Sequence, residues 1–178
     1  MTATQPYAAI VSQRVEDTGY RTALKLTRIF AISLVFFCSL GTVYYIARLI
    51  QTCLIAETFG DYHYGIASAY TCLAVLEATT LVLALIYLSG LIREQSGYIF
   101  LWLVGTTVVF ALETTVTVYC SAINYTTSHT DKFWQIIDIM IFGLKLMWQI
   151  GPFISGCILY QKMLERSRNS REERQLLL

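Results

Sequence analysis

Four long apolar segments fill most of this chain, at residues 27–50, 65–92, 98–123 and 133–160. Each has the length of about 20 residues that a helix needs to cross a hydrocarbon core of ~30 Å. Lipid offers a backbone no hydrogen bonds, so a spanning segment has to satisfy its own, which a helix does. We therefore predict an all-α membrane protein built as a four-helix transmembrane bundle.

The composition agrees with a protein whose main environment is the lipid bilayer. Hydrophobic residues make up 56% of the chain and charged residues only 14%, which is outside the usual balance of soluble domains. The formal net charge is +1, so no strongly basic surface indicates binding to nucleic acid. The residues left over form two tails, 1–26 and 161–178, around a transmembrane domain at 27–160.

The basic residues lie mainly on one side of the predicted spans and therefore predict an orientation. They precede span one, separate spans two and three, or follow span four: Arg14, Arg21, Lys25, Arg28, Arg93, Lys162, Arg166, Arg168, Arg171 and Arg174. Only Arg48 and Lys132 lie near the opposite membrane ends. The positive-inside rule then places both termini in the cytosol. The short turn at 91–97 predicts that spans two and three form an antiparallel hairpin.

Two features fall on the predicted outer side. Asn124 begins the glycosylation sequence Asn-Tyr-Thr at the end of span three and is a possible acceptor. Cys53 and Cys120 lie at outer helix ends, where oxidising chemistry is available. They either form a disulfide or remain two unpaired thiols at the membrane boundary, because sequence alone does not fix connectivity.

Both predicted tails carry short patterns typical of sorting signals. Glu172, followed four residues later by Leu176 and Leu177, fits the acidic dileucine pattern that cytosolic clathrin adaptors recognise. Tyr7 and Ile10 fit the tyrosine-based pattern of a tyrosine, two free positions and a bulky apolar residue. An exposed tail offers such side chains to an apolar pocket with a charged rim. The two patterns together favour an endosomal or lysosomal membrane over simple residence at the plasma membrane.

Four charged residues lie well inside the predicted spans, away from the span ends: Glu77, Glu113, Asp138 and Lys145. A charge that faces lipid costs several kcal/mol, so these groups should point inward and contact one another. We predict a polar cluster at the bundle centre, with Lys145 between the two glutamates and Asp138 on the same helix face. Such a cluster serves to specify helix partners, to take up a proton in proton-linked transport, or to recruit a partner's membrane helix.

The chain shows no enzyme signature. No Ser/His/Asp set, nucleotide-binding loop or zinc-protease motif is present in the sequence. The two histidines, His63 and His129, fall in outer loops without the cysteine or carboxylate spacing of a metal site. We expect no catalytic residue, no metal and no cofactor.

Three stretches carry a resemblance to a known family: residues 83–104, 142–148 and 156–163. They resemble the tight cytosolic turn, the lysine of span four and the tyrosine-containing exit of the lysosome-associated four-span (LAPTM-like) family. The resemblance implies an endolysosomal adaptor or a protein that modulates transport. The chain departs from that family in lacking proline-tyrosine motifs in its tail and in carrying Glu113 where an aspartate is expected.

Two further families are similar in layout. The claudin-like and insect septate-junction (pasiflora-type) tetraspans also have cytosolic termini and assemble barriers between cells. The lysosomal haem-permease family also has four spans and tail signals. Trp134 and Lys145 in the last span of this chain have an arrangement similar to that family's. We therefore expect an endolysosomal scaffold or modulator of trafficking, with a junction tetraspan as the alternative and a small proton-linked or haem carrier as the third hypothesis. Expected partners are clathrin adaptors and either a second membrane protein or further copies of this chain.

Overall fold

The computed structural model describes the backbone of residues 5–59, 62–127 and 132–176, and the side chains of 18–54, 65–122, 136–168 and Gln175. All secondary structure in these ranges is helical. There are four α-helices, α1 (Gln5–Phe59), α2 (Tyr62–Arg93), α3 (Ser96–Thr127) and α4 (Lys132–Leu176). The predicted all-α class and the count of four helices are confirmed for the described residues.

Each helix contains a segment that is long and apolar enough to cross a membrane. These segments are Thr18–Leu54, Gly65–Arg93, Ser96–Ala122 and Ile136–Arg168. Polarity is inverted relative to a water-soluble bundle, because Met147 is 73% exposed while Glu77 and Glu113 are each 1% exposed. Lipid solvates outward apolar side chains and disfavours outward charges, so this distribution indicates a multi-pass membrane protein.

The first and last helices extend well beyond the predicted spans. α1 begins at Gln5 and α4 continues to Leu176, so the predicted tail boundaries at residues 26 and 161 fall inside helices. Hydropathy marks where a chain leaves lipid, whereas a helix continues until its sequence offers a breaker. Residues 7–26 contain no proline and one glycine, Gly19, and residues 161–176 contain neither residue type.

The four helices follow one another around the bundle. α1 packs against α2 and α4, and α3 packs against the same two helices. We call the end with the α2–α3 turn the hairpin end, and the end where α1 meets α2 and α3 meets α4 the loop end. The most extensive interface joins α1 to α2.

The α2–α3 turn consists of two residues, Glu94 and Gln95, and confirms the predicted tight hairpin. Glu94 has a left-handed backbone with φ 52°, and the Gln95 N–H donates to the Gly90 carbonyl at 3.0 Å. This arrangement is the Schellman motif that commonly ends a helix. From α1, the Arg28 guanidinium donates to the Leu91 carbonyl at 2.9 Å and so satisfies another end group of α2.

Buried side chains form two apolar clusters. The hairpin cluster comprises Tyr20, Leu24, Ala31, Leu34, Cys38, Ala84, Tyr87, Leu91, Ile99, Trp102, Leu159 and Met163. The loop cluster comprises Tyr45, Ile66, Ala69, Tyr70, Leu73, Ala74 and Cys120. Along α2, Glu77 follows the last loop-cluster residue and precedes the first hairpin-cluster residue, so charged groups occupy the level between the clusters.

Candidate functional site

The candidate site is a buried ion cluster of three side chains from three helices, which we call the Lys145 triad. The Lys145 ammonium on α4 donates to both carboxylate oxygens of Glu113 on α3, at 2.7 and 2.8 Å. It also donates to a carboxylate oxygen of Glu77 on α2. The Lys145 side chain is 14% exposed and the two glutamate side chains are each 1% exposed.

The remaining helix, α1, contributes to the site through a glycine that has no side chain. A Cβ atom placed on Gly41 of α1 would overlap the Glu77 carboxylate, with the Glu77 Cδ atom at 2.9 Å. Glycine therefore lets the α1 backbone approach the carboxylate closely, as small residues do between membrane helices. All four helices thus meet around the triad, three through charged groups and α1 through Gly41.

The charge of the triad is unbalanced. Two carboxylates face one ammonium, so the fully ionised cluster carries one net negative charge, and one added proton makes it neutral. Removing one member of a buried ion cluster leaves a charge without its partner, which costs roughly 3–5 kcal/mol. The arrangement is therefore able to bind the helices together and to hold a proton.

Asp138 is not part of this cluster, and the prediction that it joins Lys145 is wrong. Its two carboxylate oxygens accept hydrogen bonds from the hydroxyls of Tyr44 on α1 and Tyr70 on α2, both at 2.5 Å. Asp138 and Lys145 do share a face of α4, but seven residues of helix separate them by about 10 Å along the axis. That rise is too large for a short aspartate side chain to bridge.

Arg48 completes a second polar group at the loop end, the Asp138 network of Asp138, Tyr44, Tyr70 and Arg48. The Arg48 guanidinium lies 3.8 Å from the Asp138 carboxylate and donates to the Tyr70 hydroxyl at 3.0 Å. The sequence indicated Arg48 only as a charge near a membrane end and gave no role to either tyrosine. The spacing of Tyr44 and Arg48, one helical turn apart on α1, was the available signal.

The structure does not pair the two cysteines considered for a disulfide. Cys53 is an exposed free thiol on α1, and Cys120 is a free thiol buried in the loop cluster. Their exposures differ because Cys120 faces α2 and α4 inside the bundle, whereas Cys53 lies on an outward face of α1.

The remaining predicted sites lie at the limits of the described residues. Tyr7 and Ile10 belong to α1, Asn124 to α3, and Glu172 and Leu176 to α4, but their side chains are outside the described set, as is all of Leu177. Within the described residues, no group of three or more His, Cys, Asp or Glu side chains is arranged to hold a metal ion. The sorting, glycosylation and adaptor predictions therefore stay predictions.

Comparison with known proteins gives no family assignment. No protein-family model, curated protein or solved structure matches this chain. The Lys145 triad is therefore the structural feature from which a function is inferred.

Proposed function

We propose that this chain is a non-enzymatic four-span membrane protein, with both termini in the cytosol, that acts as a scaffold or modulator of trafficking and transport in endosomal and lysosomal membranes. The observation that carries the scaffold role is the closed geometry of the Lys145 triad. Lys145 contacts both glutamates directly, and both carboxylates are almost fully buried. Direct contact between buried charges favours a fixed bond between helices over an open path for a solute.

The proposed location is supported by the sequence rather than by the side-chain geometry. The dileucine pattern at Glu172, Leu176 and Leu177 and the tyrosine pattern at Tyr7 and Ile10 lie near the two chain ends. Both ends are on the side that carries most of the basic residues. This is the side on which clathrin adaptors would have to bind them.

The location is tested by imaging a tagged full-length chain in polarised cells. The double variant Leu176→Ala, Leu177→Ala removes the dileucine pair, and Arg174→Ala, Gln175→Ala changes the same tail at positions that the pattern leaves free. We expect the wild type and the control in acidic vesicles and the dileucine variant at the cell surface. Accumulation of the wild type at lateral cell contacts, unchanged by either variant, would reject the endolysosomal role and favour the junction tetraspan.

The unbalanced charge of the triad favours a second candidate, a proton-linked carrier. Protonation of one carboxyl neutralises the cluster, and a reversible change of that kind is what proton coupling requires. The test is proton flux into liposomes that contain the purified chain and a trapped pH-sensitive dye. A flux abolished by Glu113→Gln but kept in Glu165→Gln, an exposed acid on α4, would support the carrier. Absence of flux in the wild type would leave the scaffold role in first place.

A further inference from the structure

A cavity of about 950 Å³ opens at the hairpin end, remote from the Lys145 triad. Its walls come from α1, the α2–α3 turn, α3 and α4, and include Tyr20, Glu94, Tyr98, Leu101, Met163 and Arg166. The cavity is wide and open to its surroundings, so a ligand there would be only partly enclosed. The proposed scaffold role rests on the Lys145 triad and does not involve this cavity.

Two opposite charges on the rim are held apart by one buried tyrosine. The Tyr20 side chain is 9% exposed, and its hydroxyl donates to the Glu94 carboxylate at 3.3 Å. The Arg166 guanidinium lies over the face of the same ring, 5.2 Å from its centroid. Tyr20 therefore fixes an anion at one end of its ring and a cation over its face, and both side chains line the cavity.

The position of Glu94 is unusual for a glutamate. Its backbone is left-handed, at the helix-ending position where glycine is the preferred residue. A side chain there is less favourable than no side chain, because its Cβ approaches the neighbouring carbonyl. The turn alone therefore does not account for a glutamate at this position. A carboxylate at the cavity rim is suited to binding a cationic ligand.

The cavity also joins polar and apolar surroundings. Leu101 is 50% exposed on α3 and Met163 is buried on α4. Glu94 directly follows the apolar helix α2, and Arg166 lies on α4 beyond the predicted end of span four at residue 160. The ends of membrane-spanning segments lie at the level of lipid headgroups. A ligand here would have its charges at the rim and its apolar part against Leu101 and Met163.

We propose that this cavity binds the headgroup of an aminophospholipid. The lipid phosphate pairs with Arg166 and its primary ammonium pairs with Glu94, while the glycerol and first acyl carbons lie along Leu101 and Met163. A quaternary choline has no N–H group to donate to the Glu94 carboxylate, and a glycerol headgroup has no cation. The site therefore selects phosphatidylethanolamine over phosphatidylcholine and phosphatidylglycerol.

The test is binding of these three lipids, with identical acyl chains, to the purified full-length chain in detergent, measured by native mass spectrometry. We expect about fivefold tighter binding of phosphatidylethanolamine than of phosphatidylcholine, the difference expected for one net hydrogen bond. Soluble O-phosphoethanolamine is the probe for the headgroup without acyl chains and should bind more weakly than the lipid. Equal binding of the three lipids, or of the soluble probe and the lipid, would overturn the proposal.

Two charge-removing variants with matched controls separate the roles of the two rim residues. Glu94→Met keeps the side-chain length but removes both oxygens that accept from the ethanolamine N–H groups, so it should abolish the preference for ethanolamine over choline. Arg166→Gln should weaken both lipids together, because both carry the phosphate. The controls, Glu165→Met and Arg168→Gln, make the same substitutions at exposed positions outside the cavity and should behave as the wild type. If each variant matches its control, the site is rejected.

Discussion

The hairpin half and the loop half of the bundle hold their helices together by different means. In the hairpin half, Trp102 stacks on Tyr87 with ring centroids 3.9 Å apart, within an apolar cluster. In the loop half, Asp138 accepts hydrogen bonds from two tyrosines and lies beside Arg48. Lipid removes the hydrophobic drive between helices, so close packing and hydrogen bonds remain as alternatives. Both halves contain a packed apolar cluster, but the loop half adds the hydrogen bonds of the Asp138 network, and the Lys145 triad lies between the two clusters.

The largest effect is expected where the two halves meet. Lys145→Leu leaves two buried carboxylates facing each other without a cation, so we expect about 3–5 kcal/mol of lost stability. The measurement is denaturant unfolding of the purified chain in detergent micelles. Lys162→Leu, at an exposed position on the same helix, is the control and should change little.

A triple variant sharpens this prediction. Adding Glu77→Gln and Glu113→Gln to Lys145→Leu removes the unmatched charges and should recover part of the lost stability. If Lys145→Leu itself leaves unfolding, assembly and trafficking unchanged, the triad is unimportant and the two halves are a single packing unit.

A smaller effect is expected from adding one methyl group at the same level. Gly41→Ala forces its Cβ into the Glu77 carboxylate, and overpacking of this kind costs about 1–3 kcal/mol. Gly143→Ala on α4 is the matched control, because nothing lies within 4 Å of a Cβ there. In the control the helix propensity of alanine should instead add about 0.5–1 kcal/mol. Opposite signs in the same unfolding assay are the expected result, and equal shifts would contradict the close approach of α1.

The smallest effects are expected from substitutions that delete one hydroxyl group in each half, and they allow the two halves to be compared directly. Tyr70→Phe removes a donor to Asp138 and an acceptor for Arg48, for which we expect a loss of about 1–3 kcal/mol. Tyr87→Phe removes a long contact of 3.4 Å to the Pro152 carbonyl and a contact with the Ser155 hydroxyl, which keeps its own bond to that carbonyl. No charged group loses a partner, so the loss should stay near about 1 kcal/mol or less. Unfolding of both variants under one condition measures the difference. Equal losses would show that the halves do not differ in this way.

Apolar length and intramembrane charge predicted most of the architecture. Runs of apolar residues long enough to span lipid identified all four helices, since the bilayer sets a minimum length. The short turn near residues 91–97 predicted the α2–α3 hairpin. The cost of exposing charge to lipid also predicted that Lys145 would seek Glu77 and Glu113, and these three side chains do meet.

The partner that a side chain reaches on another helix, and the point where a helix ends, were harder to predict than the helix face on which a residue lies. Helical periodicity placed Asp138 and Lys145 on one face, but it carries no information about which group a side chain reaches across the bundle. Tyr44 and Tyr70 were indistinguishable in sequence from tyrosines at a membrane interface, and the partner of each depends on helix packing. Helix ends were also missed, because residues 5–26 and 161–176 continue as helix after hydropathy falls.

The contact between Arg28 and the end of α2 makes the α2–α3 turn depend on the first helix. Leu91 is fully buried, and its carbonyl accepts hydrogen bonds from a side chain supplied by α1. A hairpin of α2 and α3 without α1 would lack this donor at the end of α2. The first helix therefore helps to hold closed a turn whose last helical residues lie 63 positions further along the chain.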